Sequence, residues 1–176
     1  MNQKNKMAFS ILAFLGVILL TCIDQFTKFL AVKHLKDAPY EVIPGIFEFH
    51  YLENRGTAFG MMQGKQVLLL LVTIMVLILA LIYFVKLPWT KQMNFLRILS
   101  VFVISGGIGN MIDRLRVHYV IDFLYFKMIN FPIFNVADIY VTCSIILICV
   151  YVMFFLSEED MNAFHLFGKN KKTKNE

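Results

Sequence analysis

Aspartate and asparagine side chains recur at helical spacing inside two apolar stretches of the chain. Asn110 and Asp113 lie three residues apart in the first stretch, and Asn135, Asp138 and Thr142 repeat and extend the pattern in the second. Residues at these spacings share one face of a helix. Polar side chains at membrane depth are costly and therefore mark candidate functional sites. If the two faces meet, they form a polar pocket.

Paired carboxylates in such a pocket could perform acid–base chemistry. Two carboxylates that share a partly desolvated site hold one proton between them near neutral pH. One can then activate a water molecule while the other protonates a leaving amine. A third aspartate, Asp122, lies in the short segment between the two stretches. Spacing alone favours Asp113 with Asp138 as the pair.

The remaining polar residues suggest no competing catalytic site. The sequence has no Ser-His, Cys-His or Ser-Lys constellation, no H-E-x-x-H motif and no phosphate-binding loop. Cys22, Cys143 and Cys149 fall inside apolar stretches without metal-ligand spacing, and we interpret them as small buried hydrophobic residues. Asp24 and Lys28, spaced i, i+4, are expected to stabilise the start of a helix. We therefore expect neither a metal nor a cofactor.

The composition indicates an integral membrane protein. Of 176 residues, 59% are hydrophobic and 16% are charged, whereas soluble domains have about 45–50% apolar and about 25% charged residues. Much of the net charge of +5 comes from a lysine-rich tail beside a membrane segment. Basic residues there act as topology signals and contact lipid headgroups. We expect membrane lipid as a partner, no nucleic acid, and a monomer.

The apolar pattern predicts an α-helical membrane protein with four transmembrane helices and a small β-rich extracytoplasmic element between the first and second. A bilayer core needs about 20 apolar residues per helix, and alternating polarity at 46–52 is typical of a strand. The predicted spans are 7–23, 66–85, 94–113 and 134–156, the outside element is 38–65, the single domain is 1–160, and the basic cytoplasmic tail is 161–176.

The lysines and arginines predict the orientation. Lys4 and Lys6 precede the first span, and Lys86, Lys91 and Arg97 fill the second connection. The positive-inside rule places these residues, and hence both termini, in the cytoplasm. The aspartates then lie near the outer face of the membrane.

Five short segments carry a family resemblance. In order they are Asp24–Lys28 (DQFTK), Asn54–Gly60 (NRGTAFG), Gly106–Arg114 (GGIGNMIDR), Val120–Phe123 (VIDF) and Phe134–Asp138 (FNVAD). Together they resemble the bacterial lipoprotein signal peptidases (signal peptidase II), which are membrane aspartyl proteases. One departure is Ile139, where serine is common in the family.

The resemblance implies an intramembrane aspartic endopeptidase. It would remove the signal peptide from diacylglyceryl-modified prolipoproteins, cleave just before the lipidated cysteine, and be inhibited by globomycin-type peptides. It implies Asp122 and Asp138 as the catalytic dyad, in contrast to the pair that spacing favours. The other implied residues bind substrate or support the site: Asn54, Gly56, Gly107, Asn110, Arg114, Asn135, Asp24, Lys28 and Asp113.

Two other functions fit the residues without the resemblance. A small transporter or proton-coupled channel could use the aspartates as an ion relay, although transporter sites usually lie at the bilayer midplane. A membrane transferase could hold Mg²⁺ with Asp113, Asp122 and Asp138.

In the protease, an opening between two spans would admit the substrate sideways, and the outside element around Phe59 would form a lid.

Overall fold

The computed structural model describes residues 1–56 and 65–157. The basic tail predicted at 161–176 and the lid expected around Phe59 lie outside this part of the chain. The elements follow in the order α1 (Gln3–His34), β1 (Tyr40–Ile43), β2 (Phe47–Asn54), α2 (Gln66–Lys86), α3 (Lys91–Val117), β3 (Val120–Tyr125), a short 3-10 helix (Lys127–Ile129) and α4 (Val136–Phe155).

The four helices are each long and apolar enough to cross a membrane, which confirms the predicted fold class. In the most apolar part of α3, 50% of the residues are buried, against 6% in α1 and in α2. α3 packs against each of the other three helices and is therefore the centre of the bundle. The outer helices present large apolar side chains outward, as lipid contact requires.

Two helices extend further than the apolar stretches predict, because buried charges are accommodated within them. α3 begins at Lys91 and includes Arg97, which is fully buried. The Arg97 guanidinium donates to the carbonyl oxygens of Phe84 (2.9 Å), Pro88 (3.0 Å) and Leu87 at the C-terminal end of α2. Arg97 therefore caps the C-terminal end of α2, because the last carbonyl groups of a helix have no hydrogen-bond partner within that helix.

α1 likewise continues to His34 and contains Asp24 and Lys28, both buried. These two residues lie in the last third of a 32-residue helix. The expectation that they stabilise a helix start is therefore wrong. Their side chains face α3, where burial of an ion pair needs further partners.

A three-stranded antiparallel sheet in the order β1–β2–β3 completes the fold. β1 and β2 lie between α1 and α2, as predicted, whereas β3 comes from the connection between α3 and α4. Asn54 of β2 pairs with Val120 of β3, and Leu52 pairs with Asp122. The sheet thus brings the chain after α1 beside the chain after α3.

Two glycines let α3 approach its neighbours closely. A Cβ atom on Gly106 would collide with the backbone oxygen of Ala137, and a Cβ atom on Gly109 would collide with the Asp24 carboxylate. Small residues permit such close helix contacts in membranes. These two positions set the distance of α4 and α1 from the polar face of α3.

The three cysteines are exposed on the helix surfaces, so the interpretation that they are buried is wrong. Cysteine is a small hydrophobe, and the apolar surface of a membrane helix accepts such a residue without burying it against protein.

Candidate active site

Asp122 is held at the centre of the site by β3. Its side chain is 1% exposed and has one amide donor on each carboxylate oxygen. Asn54 Nδ2 lies 2.7 Å from Oδ2, and Asn135 Nδ2 lies 2.6 Å from Oδ1. The β2–β3 pairing brings Asn54 to Asp122, so the sheet assembles this half of the site.

Asp138 is held by the N-terminus of α4. Asn135 is the N-cap residue, and its side-chain oxygen accepts from the backbone N–H of Asp138 at 3.0 Å. Asp138 Oδ2 accepts in return from the backbone N–H of Asn135 at 3.2 Å. This reciprocal capping box uses the Asn-x-x-Asp sequence directly. The other carboxylate oxygen accepts from Asn110 Nδ2 at 2.8 Å.

A hydrogen-bond donor at the amide oxygen fixes the orientation of each of the three asparagine side chains. Each amide oxygen accepts from a group that can only donate, which assigns the amide nitrogen to the opposite side. These donors are the backbone N–H of Gly56 for Asn54 (2.9 Å), the backbone N–H of Asp138 for Asn135 (3.0 Å) and the Lys28 ammonium for Asn110 (2.8 Å). All three amides therefore present N–H groups to the two aspartates.

Asn135 joins the two aspartates into one network. Its Nδ2 donates to Asp122 and also to Asn110 Oδ1, at 3.2 Å. Asn110 in turn donates to Asp138. The predicted polar faces of α3 and of the start of α4 do meet, and Asp122 joins them from β3.

Both aspartates line one cavity of about 470 Å³. Its lining combines polar side chains with apolar ones, as in most ligand-binding cavities. The lining residues are Asn54, Gly56, Asn110, Arg114, Val120, Asp122, Phe131, Pro132, Ile133, Phe134, Asp138, Ile139, Thr142 and Cys143.

The environment of Asp122 favours its protonated form. Burial, followed by the charge of Asp138, raises the pKa of Asp122 to about 7. The hydrogen bonds from Asn54 and Asn135 lower the pKa but offset only part of this rise. Near neutral pH, Asp122 can therefore take up and release a proton, as acid–base catalysis requires.

Arg114 offers an unused donor beside the aspartates. It lines the cavity, and its Nη1 makes a long contact of 3.5 Å to the backbone oxygen of Asn110. Its buried Nε has no hydrogen-bond partner among the described residues. Buried donors normally have partners, so Arg114 has hydrogen-bonding capacity that the described residues do not use.

A second group of carboxylates lies between α1 and α3. Lys28 Nζ is 3.0 Å from Asp24 Oδ2 and 2.8 Å from Asp113 Oδ2. Asp113 also accepts from the backbone N–H of Ile121 at 3.2 Å, and Asp24 accepts from that of Ala137 at 2.9 Å. The ion-paired group therefore holds the residues next to Asp122 and Asp138 in place.

The structure does not bring Asp113 and Asp138 together as the pair that spacing favours. Asp113 pairs with Lys28 and does not line the cavity. Within residues 1–56 and 65–157, Asp113, Asp122 and Asp138 form no group of three side chains that could hold a metal ion.

Gly56 and Gly107 have different surroundings. Gly56 lines the cavity, whereas Gly107 lies against α2, where a Cβ atom would be 2.8 Å from Leu77 Cδ2. Gly107 therefore contributes to helix packing and does not reach the cavity.

Sequence reasoning missed Gln25, whose amide nitrogen donates to Asp24 (3.2 Å), to Asp113 (3.0 Å) and to the backbone oxygen of Gly109 (3.1 Å). The sequence could have indicated Gln25, because it follows Asp24 directly within a span, where polar side chains need hydrogen-bond partners.

Known proteins resemble this chain in sequence. The sequence profile of the Signal peptidase (SPase) II family matches residues 16–154. The lipoprotein signal peptidase of Clostridium novyi (strain NT) is 42% identical over 142 residues, which cover 78% of this chain and 92% of that protein. The lipoprotein signal peptidase of Streptococcus agalactiae serotype Ia is 43% identical over 146 residues, which cover 82% and 92%.

Solved structures show the same architecture. A bacterial membrane enzyme determined by the in meso method superposes with a TM-score of 0.72 at 28% identity, and the match covers 93% of each chain. A second has a TM-score of 0.70 at 29% identity, covering 82% of this chain and 94% of the other.

Proposed function

Because the chain belongs to the signal peptidase II family of aspartic proteases, we propose that Asp122 and Asp138 are the catalytic dyad of a prolipoprotein signal peptidase. The chain is an enzyme and a multipass protein of the bacterial cytoplasmic membrane. The proposed substrate is a diacylglyceryl-modified prolipoprotein, cleaved at the peptide bond just before the lipidated cysteine. The observation that carries this proposal is the shared cavity of Asp122 and Asp138.

The proposed reaction uses one proton held by the two carboxylates. The ionised carboxylate removes a proton from a water molecule, whose oxygen attacks the scissile carbonyl carbon. The protonated carboxylate donates to the carbonyl oxygen as the tetrahedral intermediate forms. The amide nitrogen then takes a proton from one carboxylate, a hydroxyl group of the intermediate returns a proton to the other carboxylate, and the C–N bond breaks. The products are a carboxylic acid on the signal peptide and an amino group on the lipidated cysteine, and the dyad again holds one proton.

The surrounding residues have positioning roles in this proposal. Asn54, Asn110 and Asn135 direct N–H groups at the aspartates and keep them in place. Arg114 supplies the unpartnered donor for the substrate backbone. Preorganised donors of this kind lower the barrier because they need no rearrangement during the reaction.

The proposed orientation follows from the charges at one end of the bundle. Lys4, Lys6, Lys86 and Lys91 lie near the ends of helices opposite to the sheet. Placing them in the cytoplasm puts the aspartates near the outer face, where the amino-terminal part of a lipoprotein emerges. Both termini are then cytoplasmic.

The test uses purified protein and a diacylated prolipoprotein, with cleavage followed by the mobility shift of the product. We expect wild type to cleave, Asp122→Asn and Asp138→Asn to be inactive, and globomycin to inhibit. Activity in EDTA separates the dyad from the Mg²⁺-dependent transferase. Asp113→Asn is the matched control, because this carboxylate is equally buried but lies outside the cavity.

Three results would contradict the proposal in different ways. Cleavage by Asp122→Asn together with loss in folded Asp113→Asn would show that the dyad is Asp113 and Asp138. Loss of cleavage in EDTA would indicate metal chemistry. No cleavage by well-folded wild type would favour the transporter.

A further inference from the structure

A second cavity, of about 350 Å³, lies deeper in the membrane than the aspartates. Its lining is apolar except for Tyr83 and Ser100, and the Ser100 hydroxyl donates within its own helix to the backbone oxygen of Leu96 at 3.0 Å. The lining residues are Val76, Leu79, Ala80, Tyr83 and Leu87 of α2, Leu96, Ser100 and Val103 of α3, and Ile145 and Ile148 of α4.

This cavity is a groove between α2 and α4 with α3 as its floor. α2 and α4 each pack along α3, and at the inner end of the groove Tyr83 of α2 and Ile148 of α4 pack against the same buried cluster around Leu87. Leu79 and Ile145, on the two walls, are each 46% exposed, whereas Leu96 and Val103, on the floor, are buried. The walls of the groove are therefore open to the surrounding lipid, whereas side chains cover its floor on α3.

The groove continues the active-site cavity toward the cytoplasmic side. Thr142 and Cys143 of α4 line the active-site cavity, and Ile145 and Ile148, on the following turns, line the groove. At 1.5 Å per helical residue, Ile145 and Ile148 lie about 10 and 15 Å along the helix axis from Asp138. At its far end the groove reaches Leu87, which caps α2.

We infer that this groove binds the apolar helix of the substrate's signal peptide. This inference rests on the proposed function, which places the scissile bond at Asp122 and Asp138. The apolar region of a signal peptide has about 7–15 residues, which form a helix of about 10–22 Å. That length matches the distance from the aspartates to the inner end of the groove.

The depth of the groove separates the signal helix from the lipid chains of the same substrate. The diacylglyceryl group follows the scissile bond and belongs to the outer leaflet, whose chains extend through about half of the 30 Å hydrocarbon core. The groove extends to Leu87, at the inner end of α2. Only the signal peptide crosses that depth. Ala80 and Ser100 also leave room for close helix contact, as small residues do in membranes.

A photo-crosslinking experiment tests the location of the signal helix. A benzoylphenylalanine in place of Ile145 faces the groove, and the same residue in place of Ile146, which is 56% exposed and outside the groove, is the matched control. With a diacylated prolipoprotein tagged at its N-terminus, we expect a tagged adduct at 145 and none at 146. Equal adducts at both positions, or none at 145, would overturn the inference.

A kinetic experiment tests whether the groove contributes to binding. Ala80→Phe fills the groove, whereas Leu81→Phe places the same ring on the lipid-facing side of α2. For Ala80→Phe we expect KM to rise about tenfold with kcat unchanged, which corresponds to about 1.4 kcal/mol of lost binding. For Leu81→Phe we expect wild-type constants. An unchanged KM in folded Ala80→Phe would contradict the inference.

A shortened substrate distinguishes the two possible occupants. If the signal helix occupies the groove, a diacylated substrate whose apolar region is truncated shows the same KM with Ala80→Phe and wild type. If the full rise in KM persists with that substrate, a lipid chain occupies the groove and the inference is wrong. Either result leaves the proposed function intact, since neither bears on whether wild type cleaves the substrate with Asp122 and Asp138.

Discussion

Two groups of buried carboxylates in this protein differ in their partners. Asp24 and Asp113 share the ammonium of Lys28, at 3.0 and 2.8 Å. Asp122 and Asp138 receive neutral amide donors, and within the described ranges neither has a lysine, arginine or histidine nitrogen within 4.0 Å. Asp24, Asp113 and Asp122 are buried, and Asp138 is partly buried.

The difference separates carboxylates that stabilise the fold from carboxylates that can do chemistry. A nearby cation keeps a carboxylate ionised, whereas burial without one favours proton uptake. Asp24 accepts a hydrogen bond from the backbone N–H of Ala137, the residue before Asp138. Asp113 accepts one from the backbone N–H of Ile121, the residue before Asp122. Asp122, with its pKa of about 7, can exchange a proton at neutral pH.

Substitutions in the amide-bound pair should produce the largest loss of activity. We expect Asp122→Asn or Asp138→Asn to lower kcat by about 10²- to 10⁴-fold, the range for general acid–base groups. The melting temperature should change little, because removal of a buried charge is opposed by the loss of one of the two hydrogen bonds that each carboxylate accepts. Prolipoprotein cleavage and thermal unfolding in detergent measure the two effects. If substitutions at Asp122 or Asp138 lowered the melting temperature as much as substitutions in the ion-paired group, the two groups would not differ in role.

Substitution in the ion-paired group should have its main effect on stability. Lys28→Met leaves Asp24 and Asp113 buried without a cation, which costs about 3–5 kcal/mol. We expect a clear fall in the melting temperature. Arg55→Met is the control, since the Arg55–Glu53 pair at 3.2 Å is exposed and surface pairs contribute about 0–1 kcal/mol. Similar melting temperatures for the two variants would show that the Lys28 pairs do not stabilise the fold.

Asn110 connects the two groups, so its removal should affect both properties to an intermediate degree. It accepts from Lys28 at 2.8 Å and donates to Asp138 at 2.8 Å. Hydrogen bonds to charged groups contribute about 1.5–3 kcal/mol each, so we expect Asn110→Ala to lower both kcat/KM and the melting temperature. Asn54→Ala, which removes a donor to Asp122 only, should lower activity with a smaller loss of stability. An unchanged melting temperature in Asn110→Ala would show that the hydrogen bond from Lys28 to Asn110 does not contribute to stability, so that Asn110 would not connect the two groups.

The raised pKa of Asp122 should also appear in the pH dependence of stability. The pKa of Asp122 rises from 3.8 to about 7 on folding, so the folded protein binds more protons than the unfolded chain between these values. Wild-type stability should therefore fall as pH rises from about 4 to about 7. Asp122→Asn should lack this contribution. Parallel melting-temperature curves for the two proteins over that range would contradict the raised pKa of Asp122.

The same ionisation predicts a loss of activity above neutral pH. The proposed dyad needs one proton, and deprotonation of Asp122 near pH 7 leaves two carboxylates without an acid. We expect kcat/KM to fall as pH rises through this region, measured at constant ionic strength. A flat profile between pH 6 and about 9 would show that proton loss from the dyad does not limit cleavage.

Local patterns in the sequence predict much of the fold. Apolar runs of sufficient length predict the four membrane helices, and the spacing of Asn110 and Asp113 predicts a polar face on α3. The Asn135-x-x-Asp138 pattern also specifies its own capping box, because both partners lie within one helical turn. The end of α1 was less predictable, since Asp24 and Lys28 lie within this helix only because Ala137 and Asp113, on other helices, bind them.

The sequence by itself determined the membrane class, the number of spans and the residue types of the site, because each depends on composition or on short-range periodicity. Its motifs also carried the family resemblance. Tertiary structure alone decided which carboxylates meet. Asp113 and Asp138 have equivalent local spacing, but Lys28, which is distant in sequence, pairs with Asp113. Asp122 reaches the cavity because β3 pairs with β2. Neutralising a buried charge requires a partner across the fold, and that partner cannot be identified from local spacing.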